Sequence, residues 1–248
     1  MVLAYGERLA LRKQPFSNDV GGVTAVDWQL QTEKAAFEGE DWQASLDPRA
    51  PQVGMQINRL QQDLTQLFRV TPKTPHSCSI QEAYVREDDL IVRYEQSGDD
   101  LFTFQLNWRV LPSDVAGSLA LELWISVQTT LLDTHPKIDV RSRAAGAMWH
   151  DFTLNDLSIE KCDTTAVGLF KKAGVTSIIM VQPSDAHQSK RLRDKSEDFT
   201  LRMFGEFMEK GVIRRARLRF YSVPGELSRF AIINQYRAFI DSPLPLTA

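Results

Sequence analysis

A histidine beside an aromatic ring and a carboxylate occurs once, in Met148-Trp149-His150-Asp151-Phe152. An imidazole changes charge near neutral pH, so His150, with Asp151 next to it, can serve as a general acid or base on a polar substrate. The ordinary alternative, which we favour, is a histidine satisfied by hydrogen bonds at a strand edge. A second group is basic: Arg214-Arg215-Ala216-Arg217-Leu218-Arg219. If this run is a strand, Arg215, Arg217 and Arg219 share one face at about 7 Å spacing and can grip carboxylates, sulfates or phosphates. The competing reading, also preferred, has the same arginines crossing an acidic neighbouring strand or keeping a sheet edge soluble. The third candidate is Trp124, which stands among Glu122, Ser126 and Gln128 on the polar side of its run. It is either covered by another element, the reading we favour, or free to stack on a ligand such as a sugar ring. The candidate catalytic residues are therefore His150 and Asp151, and the candidate ligand-binding residues are Trp124, Arg215, Arg217 and Arg219.

Other chemistry finds little support. No phosphate-binding glycine loop, dinucleotide fingerprint, nucleophile elbow, zincin helix or calcium loop is present. Cys78 and Cys162 are far apart and lack the clustering of a zinc site, His76 and His187 read as solvated loop residues, and His135, before Pro136 at a strand end, reads as a turn residue. Glu87-Asp88-Asp89 and Asp99-Asp100 bracket one run at its two ends, where turn chemistry explains them more simply than a metal does. No cofactor and no metal are expected. With 29 Lys+Arg against 32 Asp+Glu, the net charge of -3 offers no broad basic surface for nucleic acid.

The segment Trp149-His150-Asp151-Phe152-Thr153-Leu154-Asn155 resembles the Asn-His-x-Tyr-Phe-Asn-Leu signature of galactose-mutarotase-like proteins, which are β-supersandwiches that bind carbohydrate. The histidine and the aromatic residue two positions later match in place. Trp149 replaces the leading Asn, and Thr153, Leu154 and Asn155 replace Phe, Asn and Leu. The resemblance implies a sugar-facing role for His150, and its departures put epimerase activity itself in doubt.

The elements that must position these residues are mostly strands. Phe102, Phe104, Leu106, Trp108 and Val110 alternate with polar residues, and Leu119, Leu121, Leu123, Ile125 and Val127 repeat the pattern after a Pro- and Gly-containing linker, which predicts an antiparallel hairpin. Leu90 to Glu95 adds a third strand to a meander spanning about 80–131. Shorter alternating pieces occur at Val26-Trp28-Leu30 and Trp42-Ala44-Leu46. Val175 to Val181 reads as a strand covered on both sides, Val212 to Tyr221 as a strand ended by Pro224-Gly225, and Phe199 to Lys210 as a strand followed by an irregular turn. Ile57, Leu60, Leu64, Leu67 and Phe68 follow a helical period and predict a helix docked on the sheet. Leu227 to Ile240 gives no clear period, and the polar stretch Ser184 to Asp198 reads as a long surface loop.

These patterns predict a mainly β protein: a large antiparallel β-sandwich or supersandwich with one or two short helices, as a single domain over residues 1–248. The hydrophobic fraction of 43% suffices for a sizeable core. The amino terminus lacks the apolar stretch of a secretory signal, so a soluble cytoplasmic protein without membrane association is expected. The functions to weigh are non-catalytic binding of a carbohydrate or small anionic ligand, a mutarotase-like enzyme using His150, and a protein-interaction or structural domain.

Overall fold

The computed structural model describes residues 27–31, 33–39, 41–59, 62–73, 76–144, 146–152, 167–172, 174–182, 185, 190–192 and 197–243, with 62–64, 151 and 190–192 described by their backbone alone. Cys162, His187, and Thr153, Leu154 and Asn155 of the signature-like segment lie outside these residues.

Alternating apolar residues pack two antiparallel sheets face to face. The first sheet has the order β1-β2-β3-β4-β5-β10-β15-β14, with β1 Gln29–Leu30, β2 Ala35–Glu38, β3 Trp42–Leu46, β4 Met55–Arg59, β5 Gln62–Pro72, β10 Lys137–Arg143, β15 Asp198–Phe204 and β14 Lys190–Leu192. The second has the order β11-β12-β13-β16-β9-β8-β7-β6. Its strands are β6 Ile80–Arg86, β7 Asp89–Tyr94, β8 Thr103–Leu111, β9 Leu119–Gln128, β11 His150–Asp151, β12 Val167–Lys172, β13 Val175–Val181 and β16 Ile213–Pro224. The protein is thus a mainly β, antiparallel sandwich, as the period-2 pattern predicts. The helix α1, Arg229–Asp241, covers part of the second sheet's outer face, with Tyr236 on β13 and Phe239 against Arg217 of β16.

The core fills the space between the sheets. Phe104, Leu106 and Trp108 of β8 and Leu121, Leu123 and Ile125 of β9 face Phe37, Leu67, Val140 and Leu201 of the first sheet, all buried. Gly168 shows how close the sheets come, since a Cβ there would lie 2.3 Å from the Phe199 ring. The predicted β8–β9 hairpin is present in register Trp108↔Leu123. β13 is buried along its whole length, as expected. The meander has one strand more than expected, β6, whose side chains are mostly exposed.

The helix expected over Ile57 to Phe68 is instead the β4–β5 pair, with Met55↔Leu67 and Ile57↔Thr65 in register. The apparent helical spacing has a local cause. Phe68 adopts a left-handed backbone, φ 51°, and its N–H is held 3.0 Å from the Ser142 hydroxyl, opposite a break in the β5–β10 register. Such a bulge lets two consecutive residues, Leu67 and Phe68, both turn inward, which a regular strand forbids. The true helix lies in the segment without a clear period. Ser228 caps it by accepting from the Ala231 N–H, and Ile232, Tyr236 and Phe239 form its buried stripe.

Two buried carboxylates stabilise the rest of the frame. Asp139, fully buried on β10, accepts from Arg202 Nε at 2.8 Å, and Lys73 Nζ lies 3.2 Å away. Burial pushes its carboxyl up, but the hydrogen bonds from Arg202 and Lys73 outweigh this and hold it below the ordinary carboxylate range. Asp100 is lowered too, against its own desolvation, by hydrogen bonds from Ser77. A depressed folded-state pKa contributes stability above the unfolded value, about 3.9, and loses it as pH falls through the folded value. Urea unfolding at stepped pH should therefore show stability falling below about pH 4. The fall should be shallower in Asp139→Asn.

Candidate functional site

Strand alternation places every second residue of β6 to β9 and β16 on the outer face of the second sheet, and cross-strand register sorts them into rows. One row runs Arg86, Asp89, Arg109, Glu122, Arg219; the next runs Tyr84, Ile91, Asn107, Trp124, Arg217; the third runs Glu82, Arg93, Gln105, Ser126, Arg215.

From Asp89 to Arg219 the first row is closed by its own charges. Asp89, 2% exposed, takes a bidentate pair from Arg109 at 2.6 and 2.7 Å. Glu122, 1% exposed, receives Arg219 Nε at 2.7 Å and Arg217 Nη2 at 2.6 Å. Desolvation moves the Arg219 guanidinium below its usual value, opposed by Glu122. Arg217 also donates to the carbonyls of Phe239 and Ser242 at the end of α1, and both guanidiniums lie over the Phe239 ring at 4.7 and 4.8 Å. The helix has no basic residue in its own last turn, so β16 supplies the cations that its C-terminus favours.

Trp124 is covered. Its indole N–H donates to Glu122 at 3.1 Å, and the Arg217 guanidinium sits 4.9 Å from its ring. Arg217 and Arg219 thus face an acidic residue on the neighbouring strand, the ordinary reading of the arginine ladder. Arg215, at the same face's outer end, is exposed and remains free of them.

Beyond the helix the face opens into a groove of about 260 Å³, lined by Tyr84, Arg86, Arg93, Gln105, Asn107, Trp124, Ser126, Gln128 and Arg215 among others. It brings together two of the sequence candidates, an edge of Trp124 and Arg215. Asn107 is tethered by its Nδ2 to Asp89 at 3.3 Å. The side chains of Arg93, Gln105, Ser126 and Arg215, a complete stretch of the third row, make no hydrogen bond or ion pair among the described residues. Period-2 alternation already marks Gln105, Asn107, Ser126 and Gln128 as one polar face; Tyr84, Arg86 and Arg93 join it only once β6 and the register are known.

His150 is exposed on β11, opposite Leu169, at the far edge of the same sheet. Strand order sets it three strands from β16, and it is not among the residues that line the groove. Asp151 follows it on β11, opposite Gly168. His76 has a fully buried ring: its Nδ1 accepts from the Cys78 N–H and its Nε2 faces the Phe102 carbonyl, each at 2.9 Å. That pattern fixes the proton on Nε2 and makes His76 a structural tie, where a solvated loop residue was expected. His135 is exposed near Asp133 and precedes Pro136, consistent with a turn. Among the described residues no group of three or more His, Cys, Asp or Glu could hold a metal ion, and no helix is long and apolar enough to cross a membrane.

The fold and groove define an antiparallel β-sandwich with an open polar site on one outer face. No family model and no curated protein matches the sequence. Solved structures with a similar arrangement include a heparan sulfate lyase from Pedobacter heparinus, with 9% identity and TM-score 0.47 over 82% of this chain. This chain spans 37% of that enzyme's length. They also include proposed aldose 1-epimerases from Escherichia coli K12, with 8% identity and TM-score 0.44, covering 82% of this chain and 100% of that one, and from Klebsiella pneumoniae, with 10% identity and TM-score 0.41, covering 84% of each.

Proposed function

We propose that the protein binds a carbohydrate, without catalysis, in the groove on the outer face of the second sheet. The observation that carries this reading is the row Arg93, Gln105, Ser126, Arg215, four neighbouring polar side chains with no partner among the described residues. A guanidinium donates, an amide donates and accepts, and a hydroxyl does both, so the row matches a ligand dense in hydroxyl groups. Tyr84, 38% exposed at one side, offers a ring face for stacking. Concave sites with a few convergent polar groups are the usual form of a small-ligand site.

A glycan array should identify a binder, and Gln105→Ala should weaken it roughly 5-fold by titration calorimetry, the loss of about 1 kcal/mol from one hydrogen bond. Failure of every glycan to bind, or an affinity indifferent to Gln105, overturns the reading. The enzymatic alternative rests on His150 and Asp151, on β11 at the far edge of the sheet and outside the groove lining. It requires anomer interconversion above the buffer rate that disappears in His150→Gln.

A further inference from the structure

The outer face of the second sheet carries six arginines on the strands that build the groove, Arg86, Arg93, Arg109, Arg215, Arg217 and Arg219, and three carboxylates, Glu82, Asp89 and Glu122. The charges are not shared evenly. Asp89 is committed to Arg109, and Glu122 to both Arg217 and Arg219. Arg86, Arg93 and Arg215 are left without an ion pair among the described residues, and all three line the groove. Glu82 stands across from Arg93 in the register, yet it makes no ion pair with it and is not part of the lining. The groove wall therefore holds three free guanidiniums and no carboxylate, in a protein whose net charge is -3.

We propose that the ligand of this groove is an anionic saccharide chain, bearing carboxylate or sulfate groups that Arg86, Arg93 and Arg215 receive. The inference rests on the carbohydrate reading above and adds the charge of the ligand. Arg93 and Arg215 flank the unpaired stretch of the third row, three strand spacings or about 14 Å apart at the backbone, with uncharged Gln105 and Ser126 between them. Arg86 lies one strand beyond Arg93 and two rows further along the face. Charge at the ends and hydroxyl-matching groups in the middle suit a chain of hydroxylated rings that carry acidic groups at intervals. Each guanidinium presents a planar fork that accommodates a carboxylate or sulfate through paired N–H bonds.

The test compares titration of the full chain with oligogalacturonate, a sulfated galactan oligomer and neutral galactan of equal length. At least one anionic oligomer should bind about 10-fold or more tightly than the neutral one, with affinity falling as salt is raised. The triple variant Arg86→Gln/Arg93→Gln/Arg215→Gln should erase that preference while retaining the wild-type circular dichroism spectrum, because none of the three side chains makes a hydrogen bond or ion pair among the described residues. Equal affinity for the neutral oligomer overturns the charge inference and leaves the carbohydrate reading standing. Binding of none of the three overturns the charge inference. Its separation from a failed carbohydrate reading comes from the glycan array, which reports neutral binders independently. An anionic preference that survives the triple variant also overturns it, because the charge would then be read elsewhere.

Discussion

Glu122→Ala is expected to lower unfolding stability by about 3–5 kcal/mol, because it leaves buried charge without a partner. Arg217 and Arg219 are 2% and 8% exposed, and Glu122 is the carboxylate that both of them meet. The indole N–H of Trp124 loses its acceptor in the same step. The carbonyls of Phe239 and Ser242 still receive Arg217, but they are dipoles and cannot neutralise two cations. Urea unfolding measures the loss directly. A companion triple variant, Glu122→Met/Arg217→Met/Arg219→Leu, should regain most of it, since a well-packed apolar replacement often matches a buried ion network. If Glu122→Ala costs less than about 1 kcal/mol, the guanidiniums have reached water and the network is not buried as described.

Phe239→Ala should cost about 3–5 kcal/mol for the deleted ring. The ring is fully buried and lies between the two guanidiniums and the helix, so it both fills the space and keeps water from the ion network. Its removal forfeits two cation–π contacts as well. The loss should come with faster amide exchange in α1, measured by mass spectrometry, because only Ile232 and Tyr236 then remain of the fully buried stripe that packs the helix on the sheet. A stability change within 0.5 kcal/mol, typical of surface sites, would show that α1 does not seal this face.

The sandwich was legible because its strands have one face in the core. β8, with strictly alternating burial, reads correctly from its residues, and so does the full burial of β13. Two elements misled. At Phe68 a left-handed residue turned two neighbouring apolar side chains inward, and the result imitated helical spacing. In α1 the buried stripe is only Ile232, Tyr236 and Phe239, while the exposed Phe230 and the half-buried Ile233 and Ile240 blur the period. The Ser228 cap was the available signal. At the site, Trp124 and Arg215 stood out by residue type. Tyr84, Arg86 and Arg93 did not, because β6 is exposed along most of its length and the rows depend on pairing between strands that the sequence does not state.

The cross-strand link between Glu122 and Arg219 joins residues 97 positions apart. The β8–β9 hairpin, by contrast, needs only a short turn and can close early, with the Glu122 carboxylate still hydrated. Bringing β16 alongside β9 requires a long loop closure, the slow kind of event for a β topology. Desolvation of the carboxylate is therefore expected to wait for the strand that brings its cations. Such an order of assembly would take the charge into the interior only in the company that makes its burial tolerable.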